Sequence, residues 1–418
     1  MELDARGLSD VPLVVLPELF WTDRGQCLAD LYGQHGPIFR ARHLKADVVF
    51  MIGPEANRFL LVDQRQGCSN ARGWAHFFGD DGGPPNLLTM DPPDHPRHRR
   101  ILAPAFAARR VEEHWPLIES VVGRRLARWA ARGEIEVYEE ARTIAFDLVA
   151  RAFLGLQPGP ELELGRRVYL HGGGGHAGAF RVLMRRKIEA RRARPIDDAL
   201  GLLARAHDEA GEPLSDAQLL AHAEIILVAG YETTASLGAW ALYLLATNPE
   251  YAARVREERA AVLSGVALTP AALRAMPTLD CSLTEAERLY PPVPTVPRGI
   301  VADLVFAGHA LPAGTLVLYS PAATHMLPGV WAEPQRFDPD RFAPPREEHR
   351  RTPYALAGFG GGPRVCIGMS FARAELLAVL SEALARYRLK VPPGQIIARR
   401  YGVTSRPLHG IRVRAVPV

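Results

Sequence analysis

The sequence predicts a mainly α-helical protein with a smaller β part, an α+β pattern, on three observations. Helical periodicity dominates from Arg100 to Arg298. Strand-like runs cluster in the first hundred residues and after Arg298. Across 418 residues no low-complexity linker, internal repeat or sharp compositional boundary offers a place to divide the chain, so one domain spanning 1–418 is expected.

In the first hundred residues, the run from Ala46 to Ile52, closed by Gly53-Pro54, reads as a strand. Helices are predicted over 111–132, 138–154, 180–194 and 197–210. The longest covers 216–246 and is opened by Ser215 and Gln218 at capping-box spacing. Its Leu219, Leu220, Ala223, Ile226, Leu227 and Gly230 keep helical spacing and its polar face is thin, so it should be buried on most sides. Beyond Arg298, 304–307 and 316–319 read as strands, with Gly308-His309 as a turn. A helix-like run from Ser370 to Tyr387 and a β-like tail from Ile397 to Val416 complete the chain.

At 48% hydrophobic and 23% charged, the chain has the make-up of a globular protein with a large core. A formal charge of +4 and the lack of a polybasic tail give no footing for nucleic-acid binding. Met1 to Phe20 carries Glu2, Asp4, Arg6, Asp10 and Glu18, and no apolar run there nears the ~20 residues that span a bilayer. It also lacks the basic n-region and apolar stretch of a signal peptide, so a cytoplasmic, unanchored protein is expected. Cys27, Cys68, Cys281 and Cys366 are scattered, with no C-x-x-C pair or zinc spacing, as in a reducing compartment. Only Lys45, Lys187 and Lys390 are lysines, which reads as genomic bias rather than function.

The chemistry concentrates at Phe359-Gly-Gly-Gly-Pro-Arg-Val-Cys-Ile-Gly368. A thiol between glycine-rich backbone and an arginine, just before a helix, can serve as a permanent thiolate, stabilised by Arg364 and the helix start. Glycines let backbone pass close to a large flat group. A lone Cys in a Gly-rich turn is more often inert, but Phe, Gly and Arg at fixed offsets turn the argument around.

These residues resemble the haem-binding loop of the cytochrome P450 family, Phe-x-x-Gly-x-Arg-x-Cys-x-Gly, with Phe359, Gly362, Arg364, Cys366 and Gly368 in the fixed places. Three further segments resemble the family in order. Ala229-Gly-Tyr-Glu-Thr-Thr234 is similar to its oxygen-activation motif. By that resemblance Thr233 hydrogen-bonds bound dioxygen, Glu232 is its acidic partner, and Ala229 and Gly230 lie against the haem, Gly230 permitting close approach and a local helix distortion. Taken alone, threonines in a helix often back-bond to the i−4 carbonyl. Glu285-x-x-Arg288 resembles the family's buried structural network, with Arg336 the preferred third member and Arg341 the second. His95 and Arg99, after Asp91-Pro-Pro, resemble the propionate-binding His-x-x-x-Arg pair, joined by Arg298 and Arg364.

The resemblance runs from about Ala46 to Val416 and implies the P450 fold, a triangular helix-rich prism around a buried haem b. The implied activity is insertion of one atom of dioxygen into a lipophilic small molecule, by hydroxylation or epoxidation of a terpenoid, fatty acyl, sterol-like or polyketide substrate, in a secondary-metabolic setting. Electrons would come from NAD(P)H through a separate ferredoxin and its reductase, docking on a face with Arg97, Arg100, Arg109, Arg110 and Arg373. By analogy Trp74, Phe77, Phe78, Leu227, Ala229, Pro294 and Val296 line the substrate pocket. A monomer is expected. Where bacterial members read Ala-Asn-Arg-Asp, this chain has Ala322-Ala-Thr-His-Met326, closer to sterol and retinoid hydroxylases.

Gly172 to Gly175, between His171 and His176, reads as a lid hinge, with metal binding by the histidines as the alternative. The basic run Arg181, Arg185, Arg186, Lys187, Arg191, Arg192 and Arg194 reads as a solvated helix face, with docking of an anionic carrier protein as the second reading. Two rival functions keep the haem: a peroxygenase or non-oxygenating isomerase or dehydratase, and a non-catalytic haem-binding sensor. Retention of Glu232 and Thr233 argues against both.

Overall fold

The computed structural model describes residues 8–43, 46–79, 83–207 and 211–418. Contacts group the chain into two compact units. The first comprises Met1–Gly82, Cys281–Cys366 and Ile396–His409, and the second Gly83–Asp280, Ile367–Gln395 and Gly410–Val418.

Among its described residues the first unit holds a six-stranded sheet in the order Leu13–Val14, Ile38–His43, Ala46–Met51, Leu316–Tyr319, Val296–Ile300, Cys68–Ser69. The predicted strand at Ala46 sits near its centre, where Val48 to Ile52 are at most 1% exposed. Arg298 pairs with Val317, so the sheet register fixes where this cation stands. Apolar residues from Leu8 to Tyr319, including Met51, Leu60, Ile300 and Val317, form one core cluster.

The second unit is mostly helical. The long helix is Asp216–Thr247, one residue beyond the predicted end, and Ser215 and Gln218 close the capping box. It is long and apolar enough to span a membrane, but 67% of its apolar window is buried inside the protein. Val137–Leu154 packs along it, capped at its start by Glu136, whose carboxylate accepts from the Tyr138 and Glu139 N–H groups. Gly155, at φ +64°, ends that helix in the left-handed conformation that glycine adopts freely. A Cβ on Gly230 would lie 2.8 Å from Val149 Cγ2, so the missing side chain is what lets the two helices approach.

The helix predicted over 111–132 breaks into Arg110–Leu126 and Trp129–Arg132. The one predicted over 197–210 is only Ala199–Ala204; its last three residues lie outside the described ones. Gln157–Tyr169 had no sequence expectation, yet Pro160–Tyr169 is helical.

Candidate active site

In the first unit the cysteine loop is shaped by glycine. Gly360 and Gly362 have φ of +73° and +56°, which side chains other than glycine rarely adopt. A Cβ on Gly362 would come within 2.5 Å of Leu61 O, and one on Gly361 within 2.9 Å of the Tyr354 ring. The loop is thus pressed onto the turn at Phe59–Asp63. Cys366 N–H donates to Phe359 O at 2.9 Å, closing the loop on itself. Among the described residues Cys366 is the one exposed cysteine; Cys27 and Cys68 are buried and Cys281 half-buried.

Behind the loop lies a fully buried ion-pair network. Arg288 Nε and Nη2 donate to both oxygens of Glu285 at 2.7 and 2.8 Å. The third member is Arg341: its Nε donates to Glu285 Oε1 at 3.0 Å and its Nη1 to Glu348 Oε2 at 2.8 Å. The preference for Arg336 is therefore corrected. The Arg336 side chain is 65% exposed beside Glu333, and only its carbonyl joins the network, accepting from Arg288. Sequence spacing could not separate two arginines in one irregular stretch.

His325, from the segment that departs from the bacterial wording, ties this network to the chain leading into the loop. Its Nδ1–H donates to Arg288 O at 3.0 Å and its Nε2 accepts from Ala357 N–H at 3.0 Å. The two bonds fix one neutral tautomer. Burial, with the nearby Arg288 cation, pushes its pKa down to about 3. Arg298 is 5% exposed, donates to Pro297 O, and lies 5.3 Å from the Tyr319 ring centre. Of the suggested pocket residues here, Trp74 and Pro294 are buried, Phe77 and Val296 are half-buried, and Phe78 is 48% exposed and stacked on Trp74.

In the second unit the long helix opens at one place. Val228 and Ala229 are exposed and Thr233 half-exposed on a helix that is otherwise mostly buried. Leu227, expected to face substrate, is 0% exposed and belongs to the core, so Val228 takes its place on the open face. Gly230 likewise serves helix packing, and the helix passes it without the expected distortion. Thr233 Oγ1 donates to Ala229 O at 2.6 Å, the back-bond that a helical threonine offers anyway. Glu232 turns to the Val137–Leu154 helix, where Tyr138 Oη donates to its Oε1 at 2.6 Å and Arg142 Nε lies 3.7 Å from Oε2. Neither partner was named from the sequence, although Tyr138 and Arg142 stand one turn apart on one face.

His95 is buried and Arg99 half-buried on the helix Asp94–Phe106. That helix is pinned to the long one by a histidine pair missed in the sequence. Arg97 donates to His98 Nε2 at 3.1 Å, so His98 donates from Nδ1 to His222 Nε2, 2.9 Å away. Both rings are held neutral, chiefly by burial, with His222 down to about 3. Glu375, on Met369–Arg386, is buried with neither oxygen partnered, and burial raises its pKa well above the carboxylate range.

The comparisons decide the family. The cytochrome P450 family model matches residues 10–159 and 179–406. This chain belongs to the cytochrome P450 family. A putative cytochrome P450 120 of Synechocystis is 32% identical over 91% of this chain and 90% of its own length. A putative cytochrome P450 136 of Mycobacterium tuberculosis is 30% identical over 92% and 83%. The solved structure of retinoic acid bound cyanobacterial CYP120A1 superposes with a TM-score of 0.84 at 28% identity, covering 98% of this chain and 99% of that one. A cytochrome P450DA haem domain, 22% identical with a TM-score of 0.82, shows the same fold. The fold is the P450 fold and the enzyme a P450 monooxygenase; the family uses haem with cysteine thiolate ligation and dioxygen.

The residues present fit such a group. The first unit offers an exposed thiol on a glycine-shaped loop, with cations at Arg298 and Arg364. The second offers His95, Arg99 and a helix face opened at Ala229 and Thr233. In the basic run, Arg181, Lys187, Arg191 and Arg192 already pair with Glu224, Glu161, Asp198 and Asp216. Three of the five arginines expected to face a redox partner are also paired, Arg97 with Asp94, Arg110 with Glu113 and Arg373 with Asp280. Among the described residues no cluster of three metal-ligating side chains occurs, His171 and His176 included.

Proposed function

We propose that this P450, acting as one domain, inserts one atom of dioxygen into a lipophilic small molecule, with electrons from a separate ferredoxin and reductase. The observation that carries the reading is Cys366: an exposed thiol on a loop whose glycines seat it against the Phe59–Asp63 turn. When bound, haem supplies activation of dioxygen at a thiolate-ligated iron. The chain's residues divide the remaining work. Cys366 Sγ would hold the iron, and Phe359 and Ala229 would lie beside the group. His95, Arg99, Arg298 and Arg364 would bind its propionates through charge-assisted hydrogen bonds. Thr233 Oγ1 and Glu232 pass protons toward the oxygen site. Trp74, Phe77, Phe78, Val228 and Val296 exclude water and select apolar substrates. A terpenoid, fatty acyl, sterol-like or polyketide molecule would suit them. The wording at Ala322 to Met326, and a solved relative that binds retinoic acid, favour a retinoid- or sterol-like shape.

The test is an optical titration of the ferric protein with retinoic acid, sterols, fatty acids, terpenes and macrolides. A low- to high-spin Soret shift with one class identifies the substrate class. Cys366→Ser should abolish the thiolate spectrum, and its persistence would refute the ligand assignment. Thr233→Ala should divert electrons from product to peroxide. Peroxide-driven turnover as the sole activity, indifferent to Thr233→Ala, would favour the peroxygenase reading.

A further inference from the structure

The groups that hold Glu232 also hold the end of another helix. Arg142 is 8% exposed, and its guanidinium donates to three groups and faces a fourth. Nε faces Glu232 Oε2 at 3.7 Å. Nη1 donates to Glu139 at 3.0 Å and to Leu170 O at 3.3 Å, and Nη2 donates to Tyr169 O at 3.2 Å. Tyr169 O accepts a second bond, from Tyr231 Oη at 3.2 Å. These two carbonyls close the helix Pro160–Tyr169, and the exposed His171 to Gly175 run begins immediately after them. Arg142 also lies over the rings of Tyr138 and Tyr231, at 5.7 and 5.8 Å. One side chain therefore touches the carboxylate and the root of the glycine segment together.

We propose that Arg142 is a positioning residue that couples the Tyr169–Leu170 carbonyls to Glu232, so the acid is free to pass a proton only while that segment is seated. This rests on the reading of Glu232 as the relay acid. With the carbonyls in place, Arg142 spends Nη2 and part of Nη1 on them and meets Glu232 at a distance longer than a hydrogen bond. Lifting the segment removes both carbonyls. The freed N–H groups then turn to the nearest carboxylates, those of Glu139 and Glu232. A carboxylate that gains charge-assisted hydrogen bonds is held ionised and gives up no proton. Coupling between two sites is reciprocal, so a change at either end must register at the other.

The test uses the haem-loaded protein and two readouts. One is hydrogen–deuterium exchange of residues 169–176 at rest, which needs no turnover. The other is the pH profile of electron partition between product and peroxide. Tyr231→Phe removes one bond to Tyr169 O and none to Glu232. It should speed exchange and shift the pH profile, by about fivefold in partition near neutral pH, the low end of typical coupling. In an Arg142→Gln background the same change should leave the profile unmoved. Arg142→Lys, which keeps the charge and loses the fork, serves where the Gln variant folds poorly. If Tyr231→Phe speeds exchange while the profile stays put, or shifts it equally without Arg142, the coupling is overturned. If Glu232→Gln itself leaves the partition unchanged, the relay reading of Glu232 fails instead.

Discussion

Replacing Arg341 with alanine should destabilise this P450 severely, whereas replacing Arg336 should do little. Arg341 and Glu285 have side chains 0% exposed, and Arg341 also bonds Glu348 and the Ala332 carbonyl, each at 2.8 Å. Its removal leaves one carbonyl unpaired and strips one cation from each of two buried carboxylates. Breaking a buried pair from one side costs about 3–5 kcal/mol. Glu285 keeps Arg288 and the Asp338 N–H, and Glu348 keeps Arg346, which places the cost near the lower end, ~3 kcal/mol. At about 2 °C per kcal/mol for a large chain, the melting temperature should fall by roughly 6 °C. Arg336 forms an exposed pair with Glu333, so its alanine variant should stay within ~0.5 kcal/mol. Thermal melts of the haem-loaded proteins by circular dichroism compare the two. An Arg336 variant as unstable as the Arg341 variant, or an Arg341 loss under ~1 kcal/mol, would refute this account of the network.

Three further outcomes follow from the same geometry. Gly230→Ala should cost about 1–3 kcal/mol by overpacking against Val149, and Val149→Ala in the same chain should recover most of it, as denaturant titrations would show. His325 has its folded pKa lowered to about 3 against an ordinary 6.5, so the unfolded chain binds the extra proton between those values and stability falls as pH drops from 6.5 toward 3. His325→Gln should be less stable at neutral pH, yet lose about one proton of acid dependence across that window. Glu375 is buried with neither oxygen partnered, and burial pushes its pKa up, so Glu375→Met should raise stability by on the order of 1–3 kcal/mol; a loss would mean that the carboxyl has an unrecognised role.

What the sequence made legible was whatever depends on local rules. The capping box at Ser215 and the apolar periodicity after it gave the long helix to within a residue. The apolar run after Ala46, closed by Gly53-Pro54, gave the central strand, and the spacing around Cys366 gave the family. What it hid depends on tertiary choice. Arg336 and Arg341 are equivalent in one dimension, and only burial separates them. Leu227 and Val228 differ by one helical step, and burial gives one to the core and the other to the open face. Tyr138 and His98 find partners 94 and 124 residues away, and Arg142 bonds carbonyls 27 and 28 residues on, at spacings that no local pattern encodes.

The pairing of Ala46–Met51 with Leu316–Tyr319 bears on how this enzyme is made. At ribosomal rates of 5–20 residues per second, the earlier strand waits on the order of 15–50 s for its partner to be synthesised. During that interval Val48, Val49, Phe50 and Met51, which end at most 1% exposed, have one open edge and nothing to cover it. Until that partner is made, the nascent N-terminal segment carries an unpaired apolar edge, and yield in a cell should respond to translation speed and chaperone supply.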